Sequence, residues 1–159
     1  MPDFSGRLRA SGRVAILVSR YNELITTKLL EGALACCSEA GLPRDGIDVL
    51  WLPGAFELPA AAAVAAESHG YCCLIALGAV IRGDTPHFDY VAGEAAQGLR
   101  DVSVRYGLPV GFGVLTVETM QQAVDRAGGS AGNKGHEAAS AALRTADVLS
   151  QLRAHHAQD

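Results

Sequence analysis

The sequence predicts an α/β fold, a three-layer sandwich in which a four-stranded parallel sheet carries helices on both faces. Three observations predict it. Short apolar runs rich in β-branched residues alternate with segments whose apolar residues recur at helical spacing. The strand-like runs are largely uncharged instead of alternating apolar with polar, as strands covered on both sides require. No repeat, linker or low-complexity break divides the chain. Residues 1–159 therefore read as a single domain, with 1–12 as an N-terminal arm and 153–159 as a polar tail.

The elements follow in order. "RVAILV" at 13–18 is the first strand. Leu30, Ala33, Leu34 and Cys37 then mark a helix, which Gly41 and Pro43 stop, and Asp45-Gly46 makes a turn. "IDVLWL" at 47–52 is the second strand. A helix begins near Pro59, where proline is tolerated in the first turn, and ends at Gly70. "CCLIALGAV" is the third strand. Residues 88–106 read as a helix closed by Gly107 and Pro109, and 110–115 as the fourth strand. Two helices follow, over about 117–127 and about 134–152, the second with Ala139, Ala142, Leu143 and Ala146 as its inner stripe.

The composition narrows the function. Apolar residues make up 49% and charged residues 19%, an ordered globular balance. A net charge of -4 without a lysine/arginine cluster argues against nucleic acid or an anionic membrane as partner. The four cysteines form two adjacent pairs, Cys36-Cys37 and Cys72-Cys73, both in apolar segments, which reads as buried thiols in a reducing cytosol. "MPDFSGRLRA" lacks the apolar core of a signal peptide, and the alanine run at 60–66 is too short to span a bilayer. The expectation is a soluble cytoplasmic protein.

Open parallel sheets bind ligands beyond the carboxyl ends of their strands. The loops there read "SRYNELIT", "PGAFELP", "IRGDTPHFDYV" and "TVETMQQAVDRA". In the third, Gly83 lets the backbone turn tightly, and Pro86 keeps Thr85 out of the helical region, so a helix starts at or after Pro86. Free N–H groups at that start attract an anion, phosphate above all. Thr85 adds a hydroxyl or caps the helix. His87 is either a proton shuttle beside the anion or a surface histidine. Asp84 and Asp89 read first as helix-start charges.

In the second loop, Glu57 is either a first-turn acid or an acceptor for ligand hydroxyls, helped by the backbone of Ala55 and Phe56. Tyr21 stacks on a flat ring or packs at the sheet edge. Arg126 and Lys134 are solvated charges or phosphate partners. Phe112, between Gly111 and Gly113, marks a close approach by another backbone or a ligand. The five histidines are scattered with no cysteine at ligand spacing, and no Walker loop, GxGxxG or GxSxG motif is present. The site thus reads as an anion, a flat polar ring and a proton shuttle, with no metal and no nucleotide cofactor.

"PGAFELP", "GAVIRGDTPHFDYV", "GVLTVETMQQAVDRAG" and "GNKGHEAA" together resemble the lumazine synthase family (6,7-dimethyl-8-ribityllumazine synthase), in order from about residue 14 to about 149. The resemblance implies a flavodoxin-like sandwich and a cofactor-free condensation at the penultimate step of riboflavin biosynthesis. There 5-amino-6-(D-ribitylamino)uracil and 3,4-dihydroxy-2-butanone 4-phosphate give the lumazine, with loss of phosphate and water. It also implies roles. Tyr21 stacks on the pyrimidine, Ala55, Phe56 and Glu57 hold the ribityl chain, and Ala79, Val80 and Ile81 hold the uracil. Gly83, Asp84 and Thr85 take the phosphate with Arg126, and Lys134 falls near the phosphate or the ring. His87 is the general acid/base, and Phe112 is a ring contact from a neighbouring subunit.

Two positions depart from the family pattern. Tyr21 stands where phenylalanine or tryptophan is usual, and His136 where a bulky aromatic is common. The family assembles as a homopentamer with active sites between neighbours, and some members build sixty-subunit icosahedral shells. The short "RAGGSAGNKG" connection inclines the expectation to a shell, with riboflavin synthase as a candidate partner. Arg82 and Asp89 are left to subunit contacts. The rival readings are a flavodoxin-type flavin module, a catalytically silent shell protein and a riboflavin synthase of related fold.

Overall fold

A computed structural model describes residues 1–158 of the chain. Its main sheet is four-stranded and all parallel, in the order β2-β1-β3-β4. β1 (Val14–Ser19) and β3 (Cys73–Ile81) are central, and β2 (Ile47–Leu52) and β4 (Val110–Val117) form the edges. Both central strands are enclosed: all six residues of β1 are buried, and in β3 only Ile81 is not. That burial is why their sequences carry no polar alternation.

Helices cover both faces, completing a flavodoxin-like three-layer α/β fold. α1 (Glu23–Glu39), α4 (Met120–Arg126) and α5 (Lys134–His156) lie on one face. α2 (Leu58–Glu67) and α3 (His87–Tyr106) lie on the other. Each fully buried large side chain, such as Ile16, Leu77 or Leu143, contributes about 1.5–3 kcal/mol. Small residues let the layers close. A β-carbon on Gly111 of β4 would strike the Ala138 carbonyl of α5, and one on Gly135 would strike the Leu29 carbonyl of α1. The close approach expected around Phe112 is therefore the backbone of α5 at Gly111 and the Leu77 side chain of β3 at Gly113.

The elements match the expected order, with shifted boundaries. β4 continues to Val117, so α4 begins at Met120 and not near 117; Thr119 caps it by accepting from the Gln122 N–H at 3.2 Å. The stretch between α4 and α5, expected as plain loop, pairs as a small antiparallel hairpin of β5 (Ala127–Gly129) and β6 (Gly132–Asn133). Gly128 and Gly132 hold its positive φ angles. α2 ends at Glu67, before Gly70, and His69 then takes a left-handed φ of 54°. α5 runs to His156, so 153–156, expected in a polar tail, are helical; Asp159 lies outside the described residues. The arm at 1–12 lies along α5. Buried Asp147 accepts from the Arg7 N–H at 2.9 Å and the Arg9 guanidinium at 2.6 Å. Those bonds, the Arg7 amide first, hold its carboxyl below the usual range.

Candidate active site

The chain steps from β1 outward to β2, then crosses back to β3 on β1's other side. The exit loops of β1 and β3 therefore diverge, and a crevice opens between them, as at the switch point of open α/β sheets generally. Here it is a cleft of about 710 Å³. The exit of β1 is zipped onto that of β2 by two backbone bonds, Arg20 N–H to the Leu52 carbonyl at 2.7 Å and Tyr21 N–H to the Pro53 carbonyl at 3.0 Å. That clasp places Tyr21 at the mouth with 74% of its surface exposed.

The β2 exit forms a single 3-10 turn, Ala55–Glu57, leading into α2. Ala55 is buried as part of the cleft floor, Phe56 projects into solvent, and the half-buried Glu57 turns its carboxylate back over Gly54. On the β3 side, Ala79, Val80 and Ile81 form a wall. The Arg82 N–H donates to the Val117 carbonyl at 2.9 Å, so the loop stays tied to β4 for one more residue. α3 then starts at His87, whose N–H reaches the Thr85 hydroxyl at 3.5 Å. Gly83, Thr85 and His87 all line the cleft.

Gly83 departs from its expected reason. It does not take a positive φ, and a β-carbon there would meet nothing within 4 Å. The turn does not require glycine; its bareness leaves the cleft open instead. Asp84 is exposed beside the cleft and does not line it. Phe112, Arg126 and Lys134 also stand apart from the cleft of their own chain. Phe112 is 42% exposed on edge strand β4. Arg126 ends α4 and donates to the Gln122 carbonyl at 3.1 Å, while Lys134 opens α5 with its ammonium 3.8 Å from Glu137. Arg82 and Asp89, expected at subunit contacts, bond each other at 3.2 Å. Arg82 also reaches Glu118 at 2.9 Å and covers the Phe88 ring, bracing the loop from within the chain.

Sequence reasoning also missed Pro53, Gly54, Phe88 and Val91 of the cleft lining, and two further contributors with a readable signal. Asn22 takes a left-handed φ of 62° and donates from its side chain to the Ala79 carbonyl at 3.0 Å, locking the β1 loop onto the β3 wall. Asparagine's tolerance of that conformation was the available signal. Tyr90 lines the cleft one turn after His87, and its i+3 spacing on a helix would have found it. Tyr21, Phe56 and Tyr90 together give exposed aromatic surface around a floor of small apolar groups. Glu57 and His87 add an acceptor and a proton carrier whose side chains are hydrogen-bonded to nothing else among the described residues. Such a cleft can stack a flat ring, receive hydroxyls and move a proton at one edge.

Compared with known protein families, residues 11–150 match the 6,7-dimethyl-8-ribityllumazine synthase family.

Proposed function

The chain belongs to the 6,7-dimethyl-8-ribityllumazine synthase family, and from that membership we propose how its cleft performs the reaction. The enzyme is a transferase of riboflavin biosynthesis. It joins 5-amino-6-(D-ribitylamino)uracil to 3,4-dihydroxy-2-butanone 4-phosphate, releasing phosphate and water.

In this reading Tyr21 stacks on the pyrimidine, whose edge lies along Ala79, Val80 and Ile81. The ribityl hydroxyls bond Glu57 and the backbone at Ala55 and Phe56. The butanone phosphate docks on the first N–H groups of α3 beside Gly83, Asp84 and Thr85. Asp84 is like-charged with the phosphate, so Arg126 of a neighbouring copy supplies the cation, with Lys134 nearby and the neighbour's Phe112 closing over the ring. His87 carries protons between the amine, the departing phosphate and the closing ring. Holding both substrates in one cleft supplies up to about 7–11 kcal/mol of the barrier reduction.

One observation carries this reading: three separate strand exits deliver Tyr21, Glu57 and His87 to one cleft. A second supports an oligomeric site, since Phe112 and Arg126 lie outside the cleft of their own chain. We read the assembly as a pentamer that packs into a sixty-subunit shell, in a reducing cytosol that suits four unpaired cysteines. Riboflavin synthase, which consumes the product, is the partner it nominates. No helix of the described residues is long and apolar enough to cross a membrane.

The test is to mix purified protein with both substrates and follow lumazine fluorescence. Product is expected from the two together and from neither alone. Mixing subunits of His87→Ala with subunits of Arg126→Ala should restore part of the turnover that each variant has lost. No restoration would overturn the shared site, and light scattering that shows only pentamers would overturn the shell.

A further inference from the structure

On the face of the sheet away from α2 and α3, the last turn of α1 meets the first turn of α5. Cys36 and Glu39, three residues apart on α1, share one helix face. His136 of α5 comes to lie against them, although it is far away in the sequence. The Cys36 sulfur, a Glu39 carboxylate oxygen and a His136 ring nitrogen all lie within 4.8 Å of one another. The Glu39 oxygen and His136 Nε2 are 3.1 Å apart.

Sulfur, imidazole nitrogen and carboxylate oxygen are the donors that zinc takes, and three protein ligands leave one position of a tetrahedron for water. Two such N/O ligands on one tetrahedral ion sit about 3.4 Å apart, and a sulfur sits about 3.6 Å from either. The Glu39–His136 pair, at 3.1 Å, is within a few tenths of an ångström of that spacing, and the sulfur, within 4.8 Å of both, has to draw closer on binding.

The supporting frame is rigid. Gly135 lies directly against the Leu29 carbonyl, and Gly32 against the Asn133 side chain, so the two helices pack in close contact there. The Asn133 carboxamide oxygen accepts from the Gly135 N–H at 2.8 Å and the His136 N–H at 3.1 Å, while its nitrogen donates to the Lys28 carbonyl at 3.0 Å. His136 is thereby held in place by a residue that also grips α1. Exposure runs in a useful direction: Cys36 is fully buried, while the Glu39 and His136 side chains are 55% and 38% exposed. An ion would enter from solvent and settle onto the thiol. Burial first, then the Glu39 charge, raise the affinity of Cys36 for its proton, and Arg144 of α5 opposes them.

We propose that Cys36, Glu39 and His136 form a binding site for a divalent zinc-class cation, with water as fourth ligand, that fastens the end of α1 to the start of α5. Binding releases the Cys36 proton to solvent. The thiolate and carboxylate together neutralise the ion, and no redox step is involved. The site is separate from the catalytic cleft and does not depend on the roles proposed there.

The test uses the intact protein, stripped with a chelator and titrated with Co²⁺ and then Zn²⁺. The expected result is one Co²⁺ per chain, with a thiolate-to-cobalt charge-transfer band and the strong visible bands of a tetrahedral ion, both bleached by Zn²⁺. Cys36→Ser should remove the charge-transfer band. Glu39→Gln and His136→Phe, which preserve shape at half-exposed positions, should weaken binding by at least the roughly 10–100-fold that losing even an outer partner costs. Zn²⁺ should raise the Tm of the wild type but not of His136→Phe, and all three variants should keep wild-type lumazine formation. The site is refuted if the wild type shows no band, if the band survives Cys36→Ser, or if Glu39→Gln and His136→Phe bind as tightly as wild type.

Discussion

The carboxyl ends of β1, β2 and β3 open into a cleft of about 710 Å³, and the amino ends of β1, β3 and β4 border a cavity of about 370 Å³. Both hold aromatic, histidine and other polar side chains, yet they use them differently. At the amino end two of the lining side chains, Tyr71 and Arg153, are tied into the fold, Tyr71 through an Asp48–Arg13 pair beside the cavity. Tyr71 donates to Asp48 at 2.7 Å, Arg13 donates to the same carboxylate at 2.8 Å, and Arg153 donates to the Gly107 carbonyl at 2.9 Å. At the carboxyl end Tyr21, Glu57 and His87 carry no such side-chain bonds among the described residues, and Tyr21 and Phe56 expose large rings. Bonding capacity left unused at one end of a sheet, and consumed at the other, separates a site that awaits a ligand from one that holds the fold together.

The largest effect that would test this contrast is His87→Ala. It should lower kcat by about 10²–10⁴-fold while leaving Tm unchanged, because the ring is hydrogen-bonded to nothing among the described residues. Wild-type turnover would break the comparison at its centre.

Cys72, on the wall of the amino-end cavity, gives an intermediate effect. A hydrogen bond from the Cys73 thiol, helped by Ser11, draws its pKa down to about 6, whereas burial pushes Cys37 up to about 12. The thiolate is the reactive form, so it is populated above about 6 and lost as pH falls through that value. Iodoacetamide at neutral pH should label Cys72 roughly 10-fold faster than the other cysteines, with the rate falling through that pH in acid. Lumazine formation should survive the labelling. If it did not, the amino end would have a part in the chemistry.

The smallest effect is Tyr71→Phe. Losing its bond to Asp48 should lower Tm by roughly 2–4 °C with turnover unchanged. A drop in turnover without a drop in Tm would reverse the assignment of the two ends.

The layers, the strand order's consequence for ligand placement and most of the cleft were legible in the sequence. Burial on both faces leaves an uninterrupted apolar run, as in 73–80, and a polar loop at such a strand's carboxyl end marks where a ligand can reach. Boundaries set by tertiary pairing were less legible. Thr116 and Val117 look like a helix start after Leu115, but their partners Val80 and Ile81 extend β3 and carry β4 along with it. The β5–β6 hairpin was hidden in a glycine-rich segment with no periodicity to read. Gly83 was given a conformational reason that its φ does not need, because glycine in a loop signals permissiveness without saying what uses it.

By itself the sequence determined the α/β class, the family, and the loops that gather Tyr21, Glu57 and His87, because periodicity and motif order are local properties of a chain. Only the tertiary structure decided which distant groups meet. It brought Asn22 to the Ala79 carbonyl, set Arg82 between Asp89 and Glu118, kept Phe112 and Arg126 out of their own chain's cleft, and placed His136 against Cys36 and Glu39. Those meetings depend on how closely two helices approach across bare glycines and on which strand lies beside which, and neither is set by residues adjacent in sequence.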